Sequence, residues 1–406
     1  MHKSYELFEG KGITLIKDKK FNEVIMTLRI LIDLEIETVT KANIMADLFA
    51  DRLEKYPSKS KMIGLTDSLY GIRLNTRTYT VGKYLTLDIS VTGINNRFVG
   101  EALHQAYYDV LKEVLYRPLI DEMTLTEAKK NVSQTLLRMS EDPATYAVFE
   151  AFNQAGKNQT FGVNPYGYLE DIEKITLEDM KSFHEKCISD YPKELYAVGD
   201  IQEEDFKFDQ IFSDNLESAV SKTRIVDETI VEVYEGNQSE IIQVYEVDIN
   251  PTDRLYYPYL VMLAVLGQSS NSLMFQNIRE KNSLCYSIYA SQLIFDGLFY
   301  IGTSVNKENE EKVQTLIEEQ FEIIKTKEFD LEGTIQYLIN RTSGTKEASK
   351  SLLEFSARNR RLNLNDTPED LIDYFKKVTK DEIVEVLDKI KNHLTFIYRG
   401  EENESN

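Results

Sequence analysis

The sequence predicts an α+β protein of two homologous domains, each an antiparallel β-sheet packed with helices. Three observations lead there. Alternating apolar and polar runs, suited to half-buried strands, are interleaved with stretches of helical period. The same order of pieces occurs twice, with Leu69 and Leu284 as matching points 215 positions apart. Each half also ends in a short apolar strand closed by glycine, at residues 195–199 and 396–400. The expected domains are residues 1–215 and 225–406, each of ordinary domain size.

Taken in order, residues 24–33 (V-I-M-T-L-R-I-L-I-D) read as a strand rich in apolar and β-branched side chains. A helical stretch follows, then a turn at 67–72 and alternating strands that end in 85–95. Residues 101–116 have apolar positions at helical spacing and stop before Pro118, whose ring a helix interior does not accept. A further amphipathic helix is expected over 127–139. At 175–180, Thr176 with an acid three residues on marks a capped helix start, and the closing strand follows. Residues 208–224 are polar and read as a linker. The second half repeats the series: strand 241–249, a helical stretch, strand entry at 282–288, strand 298–307, helices 310–325 and 345–361, a cap at Thr379, and the closing strand.

Composition narrows the function. Forty-seven basic residues against 68 acidic ones give a formal charge of −21, which argues against nucleic acid and anionic membrane surfaces as partners. It permits a basic partner or a cationic substrate. Two cysteines, Cys187 and Cys285, cannot build a disulfide framework, and no apolar run is long enough for a bilayer. The N-terminal residues lack an apolar signal core, so a soluble cytoplasmic protein is expected. Cys285 has no neighbouring His and reads as a buried core thiol.

The richest stretch for chemistry is 266–288, where Arg279 and Tyr286 lie seven positions apart behind a Gly/Ser/Asn turn. On a helix that spacing is two turns and places both side chains on one face. A guanidinium fork and a phenol suit a carbonyl oxygen that gains negative charge. The turn residues Gly267, Ser269, Ser270 and Asn271 are candidates to present backbone N–H groups to a peptide; the plainer reading is a helix-entry turn. Plainer uses exist for the pair too: an ion pair of Arg279 with Glu280, and core packing of Tyr286 at the start of a strand. Nothing completes the site. None of His2, His104, His184 and His393 belongs to an H-x-x-E-H or H-E-x-x-H motif, and there is no P-loop, dinucleotide fingerprint or nucleophile elbow.

The order of pieces resembles the pitrilysin/insulinase family of zinc peptidases, the inverzincins, and in particular its bacterial two-domain subunits. Four segments carry the resemblance across nearly the whole chain: L-Y-G-I-R-L at 69–74, F-G-V-N-P-Y-G-Y-L at 161–169, the block 267–286, and the two closing strands. The resemblance implies one duplicated half of a clamshell, in which Arg279 and Tyr286 bind and polarise a scissile carbonyl. It also locates a defect. The family's H-x-x-E-H motif belongs on the first helix, at 43–47, where Asn43 and Asp47 stand in the histidine positions and Ala46 replaces the Glu base. Alanine takes no proton from water, and Asn with Asp is a poor zinc pair.

No metal or cofactor is therefore expected in this chain, with Zn²⁺ expected in a partner subunit. That partner would be a paralogous H-x-x-E-H chain in a heterodimeric endopeptidase, the present chain being inactive alone. The substrate would be a peptide, such as an antimicrobial-peptide precursor. The alternatives are an inert structural or peptide-binding subunit, or an accessory protein for elongation factor P modification.

Overall fold

The computed structural model describes residues 5–157, 159–213 and 228–401. The linker read at 208–224 lies outside the described residues from 214 onward. The first half builds β1 (Glu6–Gly10), β2 (Ile13–Lys17), β3 (Glu23–Asp33), α1 (Ile36–Asp51), α2 (Lys59–Ser68), β4 (Arg73–Val81) and β5 (Tyr84–Ile94). It continues through α3 (His104–Tyr116), α4 (Glu122–Glu141), α5 (Pro143–Ala155), α6 (Leu169–Ile172), α7 (Leu177–Ser189) and β6 (Lys193–Gly199). The second half builds β7 (Glu228–Glu235), β8 (Ser239–Val247), α8 (Tyr256–Gly267), β9 (Cys285–Leu293) and β10 (Leu298–Val305). It ends with α9 (Glu310–Thr326), α10 (Leu331–Thr345), α11 (Ser349–Arg361), α12 (Pro368–Phe375), α13 (Lys380–Leu387) and β11 (Ile390–Glu401).

Two sheets result, in the orders β1-β2-β6-β3-β5-β4 and β7-β11-β8-β10-β9. The duplication holds at the level of topology. Without the extra β1, the first order matches the second strand for strand, down to one parallel pair, β2 with β6 and β7 with β11, in otherwise antiparallel ladders. The capped starts at Thr176 and Thr379 both form reciprocal capping boxes.

The first sheet has β3 near its middle, and residues 24–32 of that strand are all buried. Burial on both faces suits its mostly apolar run, which Thr27 and Arg29 interrupt. One face is covered by α1 through Val39, Ile44, Met45, Leu48 and Phe49. The other takes α11, whose Leu352, Leu353 and Ala357 pack on Ile16, Ile25, Tyr196 and Val198. This second interface is also ionic. Buried Arg29 donates to Asp88 at 2.8 and 2.9 Å and reaches Glu354 of α11 at 3.4 Å. Arg361 of α11 donates to Glu194 of β6 at 2.7 Å.

In the second sheet α5 plays the covering role. Ala147, Ala151 and Ala155, one helical turn apart, let its backbone approach Ile242, Val244, Leu298, Leu394 and Phe396. Compact unit one comprises residues 1–138, 164–219 and 345–361, and unit two the remainder. Each unit therefore takes one covering helix from the other half of the chain.

Candidate functional site

In the second unit α8 is buried nearly all round and ends at Gly267, where a Cβ would meet Met274 Cε at 2.2 Å and the Ala290 backbone N at 2.8 Å. Glycine is needed there for close packing on β9. The following turn largely bonds to itself: Ser269 O accepts from Ser272 N–H at 3.1 Å, and Ser269 Oγ from Asn271 N–H at 3.3 Å. Ser270 O accepts from the Gln276 amide at 2.6 Å, and Ser270 and Asn271 are exposed.

Residues Phe275–Glu280 then form one widened π-helical turn, closed by Lys281 N–H to Gln276 O at 3.0 Å. Such turns re-aim a side chain relative to an α-helix. Ile278 is fully buried beneath the turn, and Asn277 donates to the buried Gln320 of α9 at 2.6 Å. Ser283, with φ +53°, breaks the chain into β9.

Arg279 and Tyr286 therefore do not share a helix. Arg279 belongs to the π-turn and Tyr286 to the start of the edge strand β9. They nevertheless converge. The guanidinium carbon lies 4.4 Å from the Phe275 ring centre and 5.8 Å from that of Tyr286. Tyr286 is 81% exposed, so it does not pack in the core. The Arg279–Glu280 contact is loose, 3.9 Å, with Glu280 half exposed. Among the described residues the guanidinium makes no hydrogen bond, so its donors remain available. Cys285 is half-buried rather than fully buried; burial raises its thiol pKa, against the lowering effects of Thr303 and Arg279.

In the first unit, Asn43, Ala46, Asp47 and Ala50 share one face of α1 and border a cavity of about 410 Å³, with β4, α4 and Tyr166 as its other walls. Asn43 is committed: its amide donates to Val39 O and Pro165 O, each at 2.9 Å, and its Oδ1 accepts from Thr78 at 2.6 Å. Ala46 offers only its carbonyl, which Thr76 occupies at 2.6 Å. Asp47 accepts from Asn131 of α4 at 3.2 and 3.0 Å. Burial raises its pKa, Asp51 and Glu127 add to the rise, and Asn131 and Lys59 oppose it.

A zinc ion does not fit this donor set, since one carboxylate remains where three protein ligands are needed. Among the described residues no group of three His, Cys, Asp or Glu is placed to hold a metal. Each described histidine has a partner within the fold: His184 bonds Leu115 O at 2.7 Å, His104 meets Asp205 at 2.9 Å, and His393 lies 3.6 Å from Glu246. Beside His184, buried Cys187 has its pKa pushed up to about 12.

The comparisons agree with this geometry. Residues 174–337 match the peptidase M16 inactive domain. The chain is thus similar to inactive peptidase-like proteins of the M16 family. It is 22% identical over 97% of both chains to the probable inactive metalloprotease YmfF of Bacillus subtilis (strain 168). It is 24% identical over 70% of its length, and 68% of the other's, to the uncharacterized zinc protease YmxG of that organism. A solved structure of a conserved protein from Enterococcus faecalis V583 has the same fold, with TM-score 0.89, 23% identity, and 99% and 100% of the two chains covered. The resemblance drawn from the sequence is thereby borne out. Among the described residues, no helix is long and apolar enough to cross a membrane.

Three residues that matter to these geometries were missed in the sequence. Asn131 gives no sign of contacting Asp47 until α1 and α4 are packed. Gln320 is similarly invisible as the anchor of the π-turn. Phe275, four residues before Arg279, was within reach of a periodicity argument.

Proposed function

We propose that the chain is the non-zinc subunit of a heterodimeric endopeptidase that processes a peptide in the cytoplasm, with an antimicrobial-peptide precursor as the substrate class. Its partner is an H-x-x-E-H paralogue that carries the zinc and the base. Arg279 and Tyr286 donate hydrogen bonds to the scissile carbonyl oxygen as it gains negative charge. Exposed Ser270 and Asn271 form the rim on which the peptide lies.

The observation that supports this reading is an arginine whose fork is unspent while its position is well defined. Phe275 and Tyr286 flank the guanidinium, Ile278 is buried beneath the turn that carries it, and Asn277 ties that turn to α9. A donor held in place before substrate arrives needs little reorganisation as charge develops, which is how such donors accelerate acyl transfer. An electrostatic donor needs only correct placement, so it works from a subunit that does not bind the metal.

The test mixes this chain with its zinc-bearing partner and follows peptide cleavage. Arg279→Ala should lower kcat on the order of a hundredfold or more, and Tyr286→Phe should also lower it, by the usual loss of an oxyanion donor. Both variants should still co-elute with the partner in size-exclusion chromatography. Unchanged turnover in both variants sinks the catalytic role and leaves an inert structural or peptide-binding subunit.

A further inference from the structure

The face of the first sheet that points away from α1 is only half covered. Thr76 and Thr78 of β4 bond to α1, so by alternation Arg73, Asn75 and Arg77 lie on the opposite face. The register lines these residues up with β5 and β3 in three rows: Arg73–Thr92–Ile25, Asn75–Ser90–Thr27 and Arg77–Asp88–Arg29. The third row is the buried ionic group that Glu354 joins. The first two rows are the open part.

Helix α11 rests on Ile16, Tyr196, Val198 and Ile25, and so lies over β2, β6 and β3. Over β5 and β4 it leaves a hollow of about 710 Å³, walled by Lys350 and Glu354, one helical turn apart. A hollow of that size accommodates a small molecule. A covering helix does not require a polar floor: α5 meets the second sheet on Ile242, Val244, Leu298, Leu394 and Phe396.

Three cations and two carboxylates border the hollow, and both carboxylates are engaged. Glu23 accepts from Arg73 at 3.0 Å and from Ser349 at 2.7 Å. Glu354 holds Arg77 and accepts from Arg29 at 3.4 Å. Lys350 is exposed, and among the described residues no carboxylate lies within ion-pair distance of it. That is unusual in a chain of 68 acidic and 47 basic residues. The floor has free hydrogen-bonding capacity as well. Thr27 and Ser90 share one hydrogen bond of 2.8 Å, so one hydroxyl of the two keeps a proton to donate. Among the described residues the side chains of Asn75 and Thr92 make no hydrogen bond. Surplus positive charge repels a metal ion. Beside free hydroxyl and amide groups, it suits a molecule anionic at one end and hydroxylated along its length.

We propose that this hollow binds a small hydroxylated oxyanion, a sugar phosphate or sugar acid. Lys350 and Arg73 hold the oxyanion, and Asn75, Ser90 and Thr92 bond the hydroxyls. The net charge of −21 repels anions in general, so the affinity is local and weakens with salt. The site lies wholly in the first compact unit and uses neither Arg279 nor Tyr286, so it stands apart from the peptidase reading.

Isothermal titration calorimetry of the full-length protein at low salt tests it, with glucose 6-phosphate and gluconate distinguishing a phosphate from a carboxylate head. At least one should bind saturably at one site per chain, and glucose at least tenfold more weakly, a difference of about 1.4 kcal/mol. Lys350→Met should weaken binding about tenfold, and Lys350→Arg should retain it. Asn75→Ala combined with Ser90→Ala should weaken the sugar anion without changing the binding of inorganic phosphate. These side chains are exposed or half-buried, and unchanged melting temperatures would show that the variants fold. Absence of saturable binding by both sugar anions, or insensitivity to Lys350→Met, would overturn the proposal. So would inorganic phosphate binding as tightly as the sugar anion, which would mark an adventitious ion only.

Discussion

Moving the Asp47 carboxylate from water into the hollow beside α1 raises its pKa, through burial first and then through Asp51 and Glu127. The folded chain therefore holds that proton more tightly than the unfolded chain does. Stability falls as pH rises through the raised value, and the loss is complete above it. Asp47→Asn should melt at a higher temperature than the wild type at neutral pH, with the difference vanishing as pH falls below the ordinary carboxylate range. Calorimetry of both proteins across that range checks the sign; a variant less stable at neutral pH would refute it.

The absence of a histidine is plain in a sequence, so it was legible that Asn43, Ala46 and Asp47 do not form an H-x-x-E-H motif. How they are re-satisfied was not, because Thr78 and Asn131 arrive from other elements. The Arg279–Tyr286 spacing suggested a shared helix. Their convergence comes instead from a π-turn, a left-handed Ser283 and an edge strand, which no period of 3.6 encodes.

At the scale of elements, α11 is the clearest case of a helix legible in itself but not in its packing. Its amphipathic period is evident over 345–361, and the helix forms at Ser349–Arg361. Its partners lie far away in sequence: Glu23, Arg77 and Glu194 on strands of the first sheet. The reciprocal helix α5 was not read at all, since three alanines one turn apart carry little hydrophobic signal until they lie against a sheet.

The ionic seam under α11 gives a stability prediction. Arg29 is 2% exposed, and Asp88 holds it with two hydrogen bonds. Asp88→Ala leaves that guanidinium buried with only the longer Glu354 hydrogen bond and the Tyr79 and Tyr196 rings, so about 3–5 kcal/mol of stability should be lost. Urea denaturation measures it. A loss below about 1 kcal/mol would show that Glu354 and water replace Asp88.

At the scale of the whole molecule, the duplicated topology leaves two equivalent edge strands, β4 and β9, each in its own unit. Beside one lie Asn43, Ala46 and Asp47; beside the other stand Arg279 and Tyr286. The order of pieces and its repetition were legible because binary patterning survives at low identity. The proposed separation of roles between two chains makes this distribution testable. If the present chain supplies donors but no ligands, its own stability must be independent of zinc, while the activity of the assembled pair must depend on it. Chelation with EDTA should leave the melting temperature of this chain alone unchanged, and elemental analysis should find no stoichiometric zinc in it. The same chelation should abolish cleavage by the pair, and zinc added back should restore it. Stoichiometric zinc in this chain alone, or a chelator-induced fall in its melting temperature, would place a metal site in it after all and overturn the division of labour.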